Sequence, residues 1–155
     1  MANISPFRIG RRTPRRPEPT ADAAAVEPEV SVVVQVSLRL QPQTPAVSRE
    51  YATSILLSAA RPLDLRLVDK VAVAVGELVT ASYVAGATVV DVGLELHADH
   101  VAAVVRDDRP PAWRESPVGG TAVRDAFLDA LTTTRSVVAD AIGTVNVVRF
   151  SYAAA

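Results

Sequence analysis

The sequence predicts an α+β fold, a two-layer sandwich in which helices cover one face of a mixed or antiparallel sheet. Three observations lead to this class. An alternating strand opens the folded part, two helical segments then precede a pair of Val-rich strands, and a last helix precedes two more strands. Helices and strands that each have one apolar face, and that follow one another in this order, bury those faces most simply when a layer of helices packs on a sheet. A chain of 155 residues suffices for one such domain.

A Pro- and Arg-rich arm is predicted to precede this domain. Residues 1–29 show no apolar period of 2 or 3.6, which is typical of disorder and places the folded domain at residues 30–155. The arm carries five arginines: Arg8, Arg11, Arg12, Arg15 and Arg16. They are either a contact for nucleic acid or an acidic partner, or a solubilising tail. No apolar stretch follows the paired arginines, so we expect no export signal.

The domain is expected to open with a half-buried strand and a helix. Within residues 30–40 the apolar residues alternate with polar ones: Val32, Val34, Val36, Leu38 and Leu40. Thr44 is predicted to be the N-cap of a helix and Pro45 to be its first residue. We expect this helix to continue to about Ala60 and to stop before Pro62.

A second helix is predicted from Asp64, a candidate N-cap, to about Tyr83. Small and apolar residues share one stripe of it: Leu67, Val71, Ala74, Leu78 and Ser82. Because the segment is apolar nearly all round, we expect the helix to be well buried.

The second half of the chain predicts the rest of the sheet. Strands are expected over Thr88–His97 and His100–Asp107, and the turn at Ala98-Asp99 is short enough to join them as an antiparallel hairpin. Residues 108–120 contain several Pro and Gly and predict a long loop. The remaining elements are expected to be a helix over about Thr121–Leu131, a strand at Ser136–Ala139 and a last strand over Thr144–Tyr152.

Composition excludes several classes of function. The net charge of −1 creates no overall field that would attract nucleic acid or anionic lipid. The absence of cysteine excludes disulfides and thiolate chemistry. No apolar run reaches the length of a membrane span, so we expect a soluble, cytoplasmic protein without membrane contact. His97, Asp99 and His100 flank one turn but lack a further committed ligand, so no metal site is predicted.

The string GELVTASY, from Gly76 to Tyr83, carries a family resemblance. It resembles the N-box of the GHKL (Bergerat-type) ATPases, in particular the anti-sigma-factor serine kinases of actinobacteria. SLRLQPQTPAVSREYA resembles the first strand and helix of that family, VVDVGLELHADHVAAVVRDD its central hairpin, and GTVNVVRFSY its closing strand. The resemblance covers roughly residues 30–152. It implies the Bergerat, histidine-kinase-like ATPase fold, with ATP and Mg²⁺ as cofactors.

The N-box resemblance implies a degenerate catalytic site. Glu77 matches the family's general base, and position 81 lies one helical turn further along the same edge. The family has an Asn there that holds Mg²⁺, whereas this chain has Ala81, which offers the ion no ligand. Without the resemblance, Glu77 is a solvated carboxylate paired loosely with a neighbour such as Lys70.

The resemblance also implies nucleotide-binding residues around the central hairpin. Asp107 matches the Asp that accepts a hydrogen bond from adenine, but Arg109-Pro110-Pro111 follows where the family has small residues. Gly119 and Gly120, before the third helix, match phosphate-binding glycines, and Thr144 a Thr of the adenine pocket. The alternative for Asp107 is a carboxylate that caps a turn. Gly119 and Gly120 are otherwise ordinary loop glycines, and Gly143, which precedes Thr144, otherwise makes a plain hairpin turn. Trp113 in the same loop is either a partner anchor or a packed side chain.

Three functions remain open at this point. The lost magnesium and glycine positions favour a regulator that binds a protein, by resemblance a sigma factor or an anti-sigma antagonist, with ATP weak or absent. Retention of Glu77 and Asp107 allows an active serine kinase. The Arg-rich arm and Val-rich strands allow a structural or assembly protein. The resemblance also allows a homodimer.

Overall fold

The computed structural model describes residues 32–109, 121–139 and 142–152. The elements follow the predicted order. They are β1 (Val32–Arg39), α1 (Thr44–Leu57), α2 (Leu65–Val84), β2 (Val89–Leu96), β3 (His100–Asp107), α3 (Thr121–Leu131), β4 (Thr134–Ala139) and β5 (Thr144–Ser151). The predicted arm and nearly all of the predicted loop lie outside the described residues.

The five strands form one antiparallel sheet in the order β1-β2-β3-β5-β4. The α+β class is therefore confirmed, and the choice between a mixed and an antiparallel sheet is settled as antiparallel. Successive strands pair as neighbours except that β5 lies between β3 and β4. This order brings the ends of β3 and β5 side by side, with Asp107 opposite Thr144.

The core lies between α2 and one face of the sheet. In β2, burial alternates along the strand, so Val90, Val92 and Leu94 face inward, as the strand period requires. In α2, Val71, Val75 and several other residues are fully buried, which confirms the expectation that this helix is well buried. Ala and Val are short, so the helix can pack closely on the sheet.

The predicted capping of α1 is wrong by one residue. Gln43 is the N-cap, and Thr44 is already helical and buried. The Thr44 hydroxyl instead donates to the carbonyl of Arg39 at 2.8 Å and accepts from the backbone N–H of Gln41 at 2.9 Å. The side chain therefore ties the end of β1 to the start of the helix and does not cap the helix N-terminus. The helix also ends earlier than predicted, at Leu57.

The predicted cap of α2 is confirmed. The Asp64 carboxylate accepts a hydrogen bond from the backbone N–H of Arg66 at 3.0 Å, which satisfies one of the free donors of the first turn. In the described part of the chain, none of the helices combines the length and the apolar content that crossing a bilayer requires.

Candidate functional site

Asp107 is a buried carboxylate at the end of β3. It is in phase with the inward-facing residues Val101, Ala103 and Val105, and only 1% of its surface is exposed. The hydroxyl of Ser82, on α2, donates to Asp107 Oδ2 at 2.7 Å. The side chain therefore joins the sheet to the last turns of the overlying helix.

Arg109 completes the environment of this carboxylate. Its Nε and Nη2 atoms lie 3.0 and 2.5 Å from Asp107 Oδ2, and its backbone N–H donates to Oδ1 at 3.2 Å. The Arg109 side chain is 19% exposed. A buried carboxylate is costly unless it is paired and hydrogen-bonded, and here both oxygens have donors from the chain itself.

Thr144 and Gly143 form the opposite wall of this end of the sheet. Thr144 is buried and lies across from Asp107 in the β3–β5 register. A Cβ on Gly143 would lie 1.7 Å from the backbone oxygen of Asp107. The glycine is thus required by a close backbone approach beside the carboxylate, which is more than the plain hairpin turn considered from the sequence.

Asp108, the next residue, turns away and holds the start of β2. It accepts from the backbone N–H of Thr88 at 2.9 Å and also contacts the Thr88 hydroxyl. Partial burial raises the pKa of Asp108, but the hydrogen bonds from Thr88 outweigh that effect and hold the pKa below its usual value. The two neighbouring acids therefore have separate roles.

Glu77 lies on α2 between two arginines. Its Oε1 is 3.0 Å from Arg49 of α1, and its Oε2 is 3.9 Å from Arg124 of α3. The alternative considered from the sequence, pairing with Lys70 or another neighbour, is thus met by two arginines and not by Lys70. Gly76 leaves room for the observed position of the Arg49 side chain, because a Cβ there would lie 2.0 Å from Arg49 Nε.

Glu77 and Asp107 both lie on the helix side of the sheet, and α2 connects them. Along that helix Glu77 is about 7.5 Å and about 140° from Ser82, the residue that contacts Asp107. Their described ion-pair and hydrogen-bond partners, Arg49 and Arg124 for one and Ser82 and Arg109 for the other, have no residue in common. The family resemblance further implies that Glu77 and Asp107 share one cleft beneath the Pro-rich loop, and this stays a prediction.

Ala81, the position at which the related kinases have a magnesium-binding Asn, is half-buried and lies one turn from Glu77. The hydroxyl of the adjacent Ser82 donates to Asp107. Gly119, Gly120 and Trp113 lie outside the described residues.

The two histidines form a stacked pair at the β2–β3 turn. The ring centroids of His97 and His100 are 4.2 Å apart, with 7° between the ring planes. His97 contacts Glu95 at 3.1 Å and His100 contacts Asp99 at 2.6 Å. The hydrogen bond to His100 lowers the pKa of Asp99. Within the described ranges, no group of three or more acidic or histidine side chains is arranged to hold a metal ion.

The described residues form an α+β domain. At one end of its sheet the buried carboxylate of Asp107 receives its hydrogen bonds from residues of the same chain. No model of a protein family matches the chain, and the comparison with curated proteins gives no match. Sequence reasoning missed Arg109 and Ser82 as partners of Asp107. The signal for Arg109 was present, because it follows a buried acid by two residues at a strand end.

Proposed function

We propose that this protein is a regulatory, protein-binding relative of the anti-sigma-factor kinases with a Bergerat-type fold whose nucleotide site is occupied by its own Arg109. The observation that carries the proposal is the Arg109–Asp107 pair. The partner is a sigma factor or an anti-sigma antagonist, the class that the resemblance implies, and phosphoryl transfer is lost.

The Asp107 carboxylate supports this proposal through its hydrogen bonds. In the related kinases the matching Asp accepts from the adenine amino group. Here the guanidinium of Arg109 supplies that donation, with a charge-assisted hydrogen bond that is stronger than one from a neutral amine. Adenine would have to displace Arg109 and leave a buried ion pair broken, which opposes binding.

The surroundings of Glu77 support the loss of catalysis. Each of its carboxylate oxygens faces a guanidinium, so accepting a proton from a substrate hydroxyl would require an arginine to move. Ala81 offers no oxygen ligand, and magnesium depends on a small number of protein oxygens. Among the described residues, those around Glu77 therefore do not fit a magnesium–nucleotide complex.

An active kinase is the second candidate, and one observation favours it. The Glu77 side chain is 28% exposed and is held by ion pairs near the surface, which exchange easily. If Arg49 and Arg109 both move away when a substrate binds, Glu77 and Asp107 become available together. These two residues match the functional carboxylates of the related kinases.

Restoring the two altered positions tests the proposal. The variant Ala81→Asn/Arg109→Gly should bind ATP at least about tenfold more tightly than the natural chain, and the gain should require Mg²⁺. Isothermal titration calorimetry measures both. Adding Asp107→Asn should abolish the gain, and Ala81→Asn/Arg109→Lys, which keeps the cation, should show little of it.

Two results would count against the proposal. Equal, tight ATP binding by the natural chain and the restored variant would favour the active kinase. If the restored variant stays folded, as judged by circular dichroism, and still binds no nucleotide, the proposal that this end of the sheet derives from a nucleotide site would be wrong.

A further inference from the structure

A cavity of about 390 Å³ lies at the end of the sheet opposite Asp107. The β3 strand runs from His100 to Asp107, and the cavity adjoins the His100 end, where Tyr152 follows β5. Its other walls are the α1–α2 connection and the first turns of α2. This site is therefore separate from the Arg109–Asp107 ion pair on which the proposed function rests.

The cavity is positively charged. Arg61, Arg66 and Lys70 line it, against one acid, Asp64, whose carboxylate is engaged as the cap of α2. Arg66 and Lys70 are four residues apart and thus lie on one face of the helix. The described residues contain no salt-bridge partner for either side chain.

Helix stability does not explain the position of Arg66. This residue lies in the first turn of α2, where the partial positive charge of the helix end disfavours a cation, and the acid that this end favours is already supplied by the cap, Asp64. Lys70 lies beyond the first turn, so the helix end has little effect on it. An anionic group bound outside the helix would give both cations a partner.

One wall of the cavity is pre-organised and partly apolar. Arg61 donates to the carbonyl of Ala98 at 2.7 Å, and its guanidinium lies 4.2 Å from the ring centroid of Tyr152. The Tyr152 hydroxyl in turn donates to the carbonyl of His97 at 3.0 Å. Leu63 and Leu67 provide apolar surface beside these fixed groups. A ligand would therefore meet fixed positive charge next to an apolar recess.

We propose that this cavity docks an acidic peptide segment of a partner protein, with an apolar side chain seated between acidic ones. Complementary charge steers and orients such a segment, and burial of the apolar side chain adds affinity. The apolar part of the lining and the small extent of the basic cluster disfavour a nucleic-acid strand, which requires an extended basic surface.

The probe is a fluorescein-labelled octapeptide, EDELLEDE, with QNQLLQNQ and EDESSEDE as comparison peptides. Fluorescence anisotropy with the full chain should show saturable binding of EDELLEDE that weakens as salt is raised. Each comparison peptide should bind at least about tenfold more weakly, because each lacks one of the two complementary features.

Lys70 is the single lysine of the chain, so it reports the location of the peptide directly. A carbodiimide should join a peptide carboxylate to Lys70, and mass spectrometry of the digest identifies the linked residue. Lys70→Arg should lose this cross-link and keep the anisotropy change, since the charge remains.

Charge reversal inside the cavity tests the proposal, and the same reversal outside it is the matched control. Arg66→Glu/Lys70→Glu should reduce affinity more than about tenfold. Both positions are exposed, and an acid in the first turn of α2 suits the helix dipole, so the fold should be retained. Arg39→Glu/Arg149→Glu changes the same charge at exposed positions outside the cavity and should bind normally. Equal loss in both variants, equal binding of all three peptides, or tighter binding of an oligothymidylate strand would each overturn the proposal.

Discussion

Replacing Asp107 with Ala should lower the free energy of unfolding by about 3 kcal/mol. The carboxylate is buried and joins β3 to α2 through Ser82 and to the following residues through Arg109. Its removal leaves the hydroxyl and the guanidinium without an acceptor in the interior, and removal of one partner of a buried ion pair is strongly destabilising. Urea denaturation followed by circular dichroism measures the loss.

Glu77→Ala is the control for the Asp107 variant. Its partners, Arg49 and Arg124, form ion pairs near the surface, so this change should cost less than about 1 kcal/mol. If the Ala variant at position 107 does not fold, Asp107→Asn tests the same contact with the shape retained. Equal stability of the natural chain and both Asp107 variants would show that the buried pair is absent in solution.

Gly143→Ala is the second change with a large expected effect, a loss of about 3 kcal/mol of stability. The new methyl carbon would lie 1.7 Å from the Asp107 backbone oxygen and 2.9 Å from its carbonyl carbon, so backbone would have to move against backbone. The β3 and β5 strands would separate at the very end that carries Asp107 and Thr144.

Gly93→Ala provides the comparison for Gly143. A Cβ at Gly93 finds its nearest neighbours at 3.7 Å or more, which is ordinary van der Waals contact. Thermal melts should therefore show a change below about 1 kcal/mol for this variant. A Gly143→Ala protein as stable as the Gly93→Ala protein would contradict the close approach of the two strands.

Local patterns were enough to predict most of the fold. The β3 and α3 bounds agree with the alternation and helical period of their residues, and the Asp64 cap follows from its position before an apolar helix. The burial of Asp107 agrees with its phase on β3. Thr44 was misassigned because its hydroxyl bonds back to the carbonyl of Arg39, a choice of partner that the residue type does not reveal.

The partners of the site residues could not be predicted in the same way. Ser82 meets Asp107 because α2 crosses the end of β3, and Glu77 meets Arg49 because α1 lies beside α2. Both depend on how the layers pack. The basic cavity likewise combines Arg61, Lys70 and Tyr152 from three separate parts of the chain.

We propose that Arg109 takes the place of a nucleotide at Asp107. A titration of the natural chain with ATP in the presence of Mg²⁺ tests it most directly. We predict no saturation below about 1 mM, with the same trace from Asp107→Asn. Micromolar, magnesium-dependent binding that disappears in Asp107→Asn would contradict the claim and identify a working nucleotide site.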